Sequence, residues 1–332
     1  MTAPFRAAIA TSLAALIAAS AAAEEVTLTA VHSLPANNDL MASYFAFVDD
    51  VNANGEGLLQ IQVRGGREII PQREQYNAVS RGIVDMYLGP AGYYEGQVPE
   101  LAAMSGAAVP ADKLREAGLH AAPDGAARER TGVAVLGRMG PGYSFQFYLK
   151  DEPKIDEEGI LDLSGLKIRG GGSYAPMYDA LGIARVAIPA GEVYTALERG
   201  VVDGVGFVTL GVSDAGWQDH LGYRIFPTWR QGNTIIAMNA EKYDTLSDEQ
   251  RAYLDEMVAK HEMLAHEAAS ALEEKDTAIL GGAGVEDVVL NEAGSAALLD
   301  AFYSTFWPTI EEKVGEGAAE LQAIVETANG GS

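Results

Sequence analysis

Short apolar runs alternate with amphipathic stretches along most of this chain. The apolar runs predict strands at residues 26–34, 58–65, 133–139, 143–150, 166–169, 184–189 and 233–239. Between them lie segments such as 39–53, DLMASYFAFVDDVNA, in which apolar residues recur at helical spacing. Strands that alternate with helices in this way are typical of α/β domains with largely parallel sheets.

Residues 70–85 and 188–203 form an internal repeat in which nine of sixteen positions are identical. Each copy predicts the same path: a strand ends at Ile-Pro, a helix follows, Gly82 or Gly200 stops it, and another strand begins. Two copies are too few for a solenoid. The repeat therefore predicts two similar α/β domains that face each other.

Residues 247–280 predict one long helix. Ser247 and Gln250 fit a capping box, and Gly281 follows the end of the pattern. At 1.5 Å per residue such a helix runs about 50 Å, which is longer than one small domain, so we expect it to bridge both domains. Its predicted buried face consists of Leu254, Met257, Val258, Leu264, Ala265, Ala268 and Leu272.

The first 23 residues predict a secretory signal peptide. Arg6 precedes an apolar run over residues 7–19, and the small residues of Ala21-Ala22-Ala23 form the expected cleavage site. We expect cleavage near Ala23, so that the mature protein begins at Glu24. The apolar run is shorter than the ~20 residues of a membrane span, and no other stretch is long and apolar enough, so the mature protein should not be membrane-embedded.

Charge and composition exclude several kinds of function. A formal net charge of −24 argues against nucleic-acid binding, because phosphate recognition needs clustered Lys and Arg. The absence of cysteine excludes thiol catalysis, disulfides and cysteine metal sites. His261 and His266 are five residues apart rather than the four of a zinc-protease helix, so we expect surface or flanking positions for both. No metal or cofactor is expected.

Residues 166–176, LKIRGGGSYAP, allow two interpretations. Gly170–Ala175 match G-x-G-x-x-A after a strand, with Glu192 as a ribose-binding acid, which would indicate an exported nucleotide-dependent oxidoreductase. The fingerprint lies mid-chain, however, whereas it normally opens a nucleotide domain. Alternatively, the glycines leave space beside Arg169, whose guanidinium is well shaped to hold a carboxylate.

The segments DLSGLKIRGGGS and IPAGEVYTALERGVVDG resemble the solute-binding proteins of tripartite ATP-independent periplasmic (TRAP) transporters, the DctP-like family. The resemblance implies a type II-like two-domain flytrap with crossing hinge strands and a domain-spanning helix. It places residues 24–146 and 235–272 in domain I and residues 147–234 and 273–332 in domain II. It also implies a monomeric periplasmic receptor without catalysis or cofactor, which captures a small organic acid and delivers it to the small and large permease subunits. The same fold could instead serve a sensor or another transporter type.

The resemblance makes Arg169 the residue that clamps the substrate carboxylate. Departures from the family pattern fall at Ser144, where many members have a second arginine, and at Phe207, where an asparagine is usual. They also fall at Ala190, often phenylalanine, and at Gln72, often an acid. Fewer polar partners favour a monocarboxylate with an apolar or aromatic body. Further candidates for the cleft are Tyr93, Tyr174, Trp229 and His32, together with Asn37, Tyr143 and Trp217.

Overall fold

A computed structural model describes residues 24–107, 109–139, 142–171 and 174–330. The predicted signal segment 1–23 lies outside these residues. Two mixed sheets with surrounding helices make up the described chain, and a short hairpin of β6 (Lys154–Ile155) and β7 (Leu161–Asp162) is separate from both. Every strand predicted from the apolar runs is present.

The first sheet consists of β1 (Val26–His32), β2 (Leu59–Gly65), β3 (Met86–Pro90), β4 (Val133–Arg138) and β13 (Thr234–Asn239). Their order is β2-β1-β3-β13-β4. Strands β1, β2 and β3 are parallel, and β13 is antiparallel to both of its neighbours. Every residue of β4 and β13 is buried, in keeping with their largely apolar sequences.

The second sheet consists of β5 (Ser144–Leu149), β8 (Lys167–Arg169), β9 (Ala184–Val186), β10 (Gly204–Val208), β11 (Tyr223–Phe226), β12 (Arg230–Gln231) and β14 (Glu286–Val289). The main order is β14-β11-β5-β10-β8-β9, with β12 paired to β5. Strands β8, β9 and β10 are parallel, and β5 is antiparallel to β10. Each sheet thus contains a parallel set joined by an antiparallel strand.

The helices are α1 (Asp39–Asn54), α2 (Gln75–Ser80), α3 (Glu100–Ala103), α4 (Ala111–Glu116), α5 (Ala121–Thr131), α6 (Ala175–Ala180), α7 (Val193–Glu198), α8 (Ala240–Asp244), α9 (Asp248–Gly282), α10 (Glu292–Val314) and α11 (Gly317–Ala328). Helix α10 packs on α6 and α3, and α11 packs on α3 and α4. The C-terminal helices therefore contact elements from both halves of the chain. Within the described ranges, none of the helices combines the length and apolar character that a membrane crossing needs.

The chain passes between the sheets three times: the first two passages lie side by side, and the third runs through α8 and α9 to β14. It leaves the first sheet between β4 and β5 and returns between β12 and β13. The Met139 amide donates to the Thr234 carbonyl at 2.9 Å, and the Gly232 amide donates to the Tyr143 carbonyl at 2.8 Å. A Cβ on Gly232 would stand 1.8 Å from the Tyr143 ring, so only glycine allows this approach. These paired segments are the expected crossing hinge strands.

Both copies of the repeat adopt the same local structure. A 3₁₀ turn leads into α2 or α7, and Gly82 and Gly200 end these helices in the left-handed region with φ of 67° and 68°. The carboxylate of Asp85 then accepts from the Thr29 amide at 2.7 Å, and that of Asp203 accepts from the Lys167 amide at 2.8 Å. The identical aspartates thus anchor equivalent parallel strands in the two sheets.

Helix α9 is 35 residues long and begins with the predicted capping box of Ser247 and Gln250. Its first half packs on α1 and β4 of the first half of the chain. Near its end, Asp276 accepts from the Ser213 amide at 3.0 Å, and Thr277 accepts from Arg224 at 2.9 Å. The helix therefore connects both halves, as its length predicted.

One face of α9 differs from the prediction. Leu264 and Ala268 are exposed, whereas His261 and Glu262 are buried. His261 contacts Asp50 through Nε2 at 2.8 Å, and Glu262 binds Arg115 at 2.7 Å. The expectation of a surface or flanking His261 was wrong, because charged partners on neighbouring elements compensate for its burial.

Candidate ligand-binding site

A cavity of about 390 Å³ lies between the two sheets. Its size falls within the ordinary range of small-molecule sites. Residues from both sheets, from the hinge segments and from α10 line it. They are Leu34, Leu40, Arg73, Pro90, Gly92, Tyr93, Glu95, Gly96, Pro99, Ala102, Ser105, Tyr143, Phe145, Arg169, Gly171, Tyr174, Phe207, Val208, Arg230, Asn233, Thr234, Phe306, Thr309, Ile310 and Lys313.

Arg169 is the last residue of β8 and reaches the cavity from the second sheet. Its side chain is nearly inaccessible, with the residue 4 % exposed. The Nε group donates to the Ile188 carbonyl at 3.2 Å, and Nη1 is 3.5 Å from the Gly206 carbonyl. Among the residues that the structure describes, no carboxylate forms an ion pair with Arg169. Its charge is therefore held only by neutral groups.

Aromatic side chains surround this guanidinium. It lies 5.6 Å from the centroid of the Phe207 ring, within cation–π range. Burial opposes the charge, but the phenol oxygens of Tyr174, Tyr93 and Tyr178 outweigh it, and the pKa of Arg169 is raised above its ordinary value. Arg169 therefore stays positive at every physiological pH.

The second guanidinium of the cavity belongs to Arg230 in β12. Its Nη2 group forms a 2.6 Å ion pair with Glu95 and a 3.1 Å hydrogen bond with the Ser105 hydroxyl. Both charged side chains are buried. Because the carboxylate neutralises the arginine, this wall of the cavity has no net charge.

The middle of the cavity is aromatic. Phe145 and Tyr174 form its surface, with ring centroids 5.5 Å apart. Trp229 packs behind both, 5.4 Å from Phe145 and 5.3 Å from Tyr174. Trp217 supports Phe207 in the same way, with an edge contact at 4.7 Å. The tryptophans thus fix the orientation of rings that face the cavity.

Hinge residues form the floor of the cavity. The Tyr143 hydroxyl donates to Thr234 Oγ1 at 3.2 Å. Burial raises the pKa of Tyr143 to about 12, so the phenol stays protonated and neutral. Arg73 and Lys313 also belong to the lining, and Arg73 lies 5.7 Å from the centroid of the Tyr93 ring. The cavity therefore contains two cations in addition to its two buried arginines.

The structure brings five of the candidate residues to the cavity, namely Arg169, Phe207, Tyr93, Tyr143 and Tyr174. The remaining candidates lie outside its lining. The Gln72 side chain donates to the Ser33 carbonyl at 3.0 Å, and the His32 ring donates to the Leu34 carbonyl at 2.6 Å. Ser144 accepts from Gln231, Ala190 is buried at a 3₁₀ turn, and Trp229 lies behind the aromatic wall. Direct ligand contact stays a prediction for every candidate, inside or outside the lining.

Most of the lining was not found from the sequence, and its polar residues Arg230, Glu95 and Asn233 matter most for the charge of the cavity. The missing arginine at Ser144 led to the interpretation that a single guanidinium is present. Arg230 supplies a second one from elsewhere, but its pairing with Glu95 leaves only one of the two buried arginines without a carboxylate. The absence of an arginine at Ser144 therefore does not explain why only one buried arginine lacks a carboxylate. The Arg230–Glu95 ion pair explains it.

The glycines after Arg169 serve close packing. A Cβ on Gly170 would stand 2.5 Å from the Tyr178 ring, and the Tyr178 hydroxyl donates to the Arg169 carbonyl at 3.1 Å. Gly171 lines the cavity. Residues 172 and 173 of the nucleotide-like pattern lie outside the described chain. Gly170 therefore allows Tyr178 to fix the end of the strand that carries Arg169.

Comparison with known proteins places this architecture in a class. The chain is similar to DctP7 of Bordetella pertussis, an extracytoplasmic solute receptor that binds pyroglutamic acid, with a TM-score of 0.78, 20 % identity and coverage of 91 % of this chain and 99 % of that one. It is also similar to a TRAP periplasmic solute-binding protein from Desulfovibrio salexigens with bound orotic acid, with a TM-score of 0.80, 18 % identity and coverage of 92 % and 98 %. These likenesses show that the fold is that of the two-domain periplasmic binding proteins, as predicted.

Sequence comparison also finds similar solute-binding proteins. Residues 152–307 match the family described as bacterial extracellular solute-binding protein, family 7, or DctP. A solute-binding protein of Albidiferax ferrireducens is 25 % identical over 294 residues, which cover 84 % of this chain and 83 % of the relative. The predicted resemblance to DctP-like solute-binding proteins is confirmed. This family and the structural neighbours are solute receptors, not enzymes.

Proposed function

We propose that this protein is the periplasmic receptor of a TRAP transporter and binds a monocarboxylate with an apolar or aromatic body through Arg169. The observation that carries this proposal is the buried guanidinium of Arg169, which lines the cavity without a carboxylate partner in the described chain. A buried cation held only by neutral groups favours an incoming anion, because the anion supplies the missing ion pair.

The charge balance at the Arg230 wall of the cavity favours one carboxylate rather than two. Glu95 neutralises Arg230, so a second carboxylate near that wall would meet a glutamate as well as an arginine. Phe207 replaces the asparagine of the family motif, and together with Phe145 and Tyr174 it offers apolar surface. A flat or aliphatic body attached to one carboxylate suits these walls.

The ligands of similar proteins support a carboxylate ligand but not the restriction to a single carboxylate, since malonate has two. Crystal structures of the similar proteins contain pyroglutamic acid and orotic acid, and one from Rhodoferax ferrireducens, with a TM-score of 0.76 and 21 % identity, contains malonate. All three ligands are small organic acids. We extend only this shared carboxylate chemistry to the present chain.

Delivery to a membrane permease completes the proposed function. Closure of the two domains around the ligand would create the surface that the small and large permease subunits recognise. The genes beside this one test the assignment, because genes for a small and a large membrane subunit would support transport. A neighbouring sensor-kinase gene would favour the alternative in which the receptor serves a sensor.

Thermal-shift screening against a library of carboxylates and sulfonates tests the binding site. We expect stabilisation by monocarboxylates with ring or branched aliphatic bodies, and little by dicarboxylates. Arg169→Ala should remove this stabilisation. If the substituted protein is stabilised as much as the parent, the carboxylate is held elsewhere. Stabilisation by a nicotinamide dinucleotide alone would also overturn the proposal.

A further inference from the structure

Two buried hydrogen-bond acceptors in the cavity have no partner in the described chain: Glu95 Oε2 and Asn233 Oδ1. Glu95 is 4 % exposed and Asn233 is 7 % exposed. Buried polar atoms normally have partners, and an unsatisfied acceptor lowers stability. Both residues line the space in which a ligand would lie.

Hydrogen bonds to neighbouring groups hold Glu95 and Asn233 so that one acceptor oxygen of each side chain stays without a partner. Glu95 Oε1 binds Arg230 at 2.6 Å, which leaves Oε2 unengaged. Asn233 Nδ2 donates to the Leu101 carbonyl at 2.7 Å. Because a carbonyl only accepts, the Asn233 amide keeps this orientation and its Oδ1 stays available.

These acceptors do not call for a cation. Arg230 already neutralises the Glu95 carboxylate, so a neutral N–H or O–H group satisfies Oε2 without leaving an unbalanced charge. Asn233 is itself neutral. The required partner is therefore an amide, heterocyclic N–H or hydroxyl donor, all of which are neutral at physiological pH.

Tyr174 separates these acceptors from Arg169. Its hydroxyl is 3.4 Å from the Gly206 carbonyl, the same carbonyl that Arg169 approaches, whereas its ring centroid is 6.0 Å from the Arg230 guanidinium. One aromatic side chain thus spans from the carboxylate end of the cavity to the Arg230 end. A ligand that reaches both ends passes along this ring.

We propose that the ligand is a carboxylate whose ring or chain also carries an N–H or O–H donor, which Glu95 and Asn233 accept while Arg169 holds the carboxylate. This rests on the proposed carboxylate function and specifies the chemistry of the other end of the ligand. The aromatic middle of the cavity suits a ring or short aliphatic body between the two polar ends.

Matched ligands that differ only in the donor test this proposal on the unaltered protein. Pyrrole-carboxylates and furan-carboxylates exchange N–H for O at constant shape, as do indole-carboxylates and benzofuran-carboxylates. Several positional isomers of each should be measured by calorimetry, because the distance from carboxylate to donor decides whether the donor reaches Glu95. For at least one isomer, we expect the N–H ligand to bind about tenfold more tightly, since a satisfied buried acceptor contributes roughly that factor.

Glu95→Gln tests the residue directly. Glutamine keeps an oxygen for Arg230 but places an NH₂ group where Oε2 was, so the preference should disappear or reverse in favour of the furan and benzofuran acids. Glu100→Gln is a matched control. Glu100 is also a buried glutamate paired with an arginine, Arg130, at 2.7 Å, but it does not line the cavity. This control should keep the donor preference.

The outcomes distinguish the donor proposal from the carboxylate proposal on which it rests. If carboxylates bind and Arg169→Ala removes binding, but all N–H and O pairs bind equally, the donor proposal is wrong and the carboxylate proposal stands. If no carboxylate binds, or Arg169→Ala has no effect, the carboxylate proposal itself is wrong. If Glu95→Gln does not fold, the matched ligand pairs on the parent protein still decide.

Discussion

The two arginines buried in the cavity carry the same charge but differ in what surrounds it. Arg230 pairs with Glu95 at 2.6 Å, whereas Arg169 contacts backbone carbonyls and aromatic rings. The charge of the first arrangement is balanced without a ligand, and the second lacks an anion among the described residues. Under the proposed function, this difference assigns structure and specificity to Arg230 and ligand affinity to Arg169.

The largest expected effect comes from Arg230→Met. Loss of the arginine leaves the buried Glu95 carboxylate without its counter-ion, and breaking a buried pair from one side costs about 3–5 kcal/mol of stability. Urea unfolding of the ligand-free protein measures this. The double substitution Arg230→Met with Glu95→Met should recover most of the loss, because both charges are then absent. A loss under about 1 kcal/mol for the single substitution would mean that the pair is not isolated from water.

Arg169→Met should lower ligand affinity and leave the stability of the ligand-free protein almost unchanged. Ligand-free stability should change by less than about 1 kcal/mol, or rise, because a buried charge is replaced by an apolar side chain of similar length. Affinity for the carboxylate ligand should fall about 100-fold, since two charge-assisted hydrogen bonds are lost. Calorimetry and urea unfolding of the same sample measure both. A large stability loss with little change in affinity would reverse the roles assigned to the two arginines.

Phe207→Asn restores the residue usual in the family and should have a smaller effect. It removes the cation–π contact with Arg169, which contributes roughly 1 kcal/mol, and adds a polar group to the wall. Affinity for aromatic acids should fall about fivefold, while hydroxylated acids should bind more tightly. Competition binding between the two ligand types measures the change, with Phe207→Leu as the apolar control that should not improve binding of hydroxylated acids.

The smallest expected effect is that of pH. Arg169 has a raised pKa and Tyr143 has a pKa of about 12, so neither group changes its charge between about pH 6 and pH 9. Affinity should be constant over that range and should fall only when the ligand carboxylate becomes protonated, near pH 4 for an ordinary acid. A tenfold change in affinity between pH 6 and pH 8 would show that a histidine or another titrating group takes part.

Local patterns predicted the fold well because the physical causes are local. The capping box at Ser247, the left-handed glycines at Gly82 and Gly200, and the buried strands all depend on neighbours within a few residues. Because the same local pattern occurs twice, in residues 70–85 and 188–203, the sequence also predicted two similar domains. The proposed boundaries of those domains, however, stay a prediction.

The site was only partly predictable, because its charge balance depends on distant contacts. Glu95 and Arg230 are 135 residues apart in sequence, and neither lies in a distinctive motif. The same reason explains His261 and Glu262 in α9, whose partners Asp50 and Arg115 belong to other elements. Arg169 was identified because its motif marks it, whereas Arg230 has no such signal.

The paired hinge segments have a mechanical consequence. Tyr143, Asn233 and Thr234 belong to the passages between the sheets and also line the cavity. A ligand bound as proposed would therefore touch the hinge segments, and its length would limit how far one half rotates against the other. The angle between the two halves would then depend directly on which ligand is bound. A permease that senses this angle would distinguish solutes by their size without contacting them.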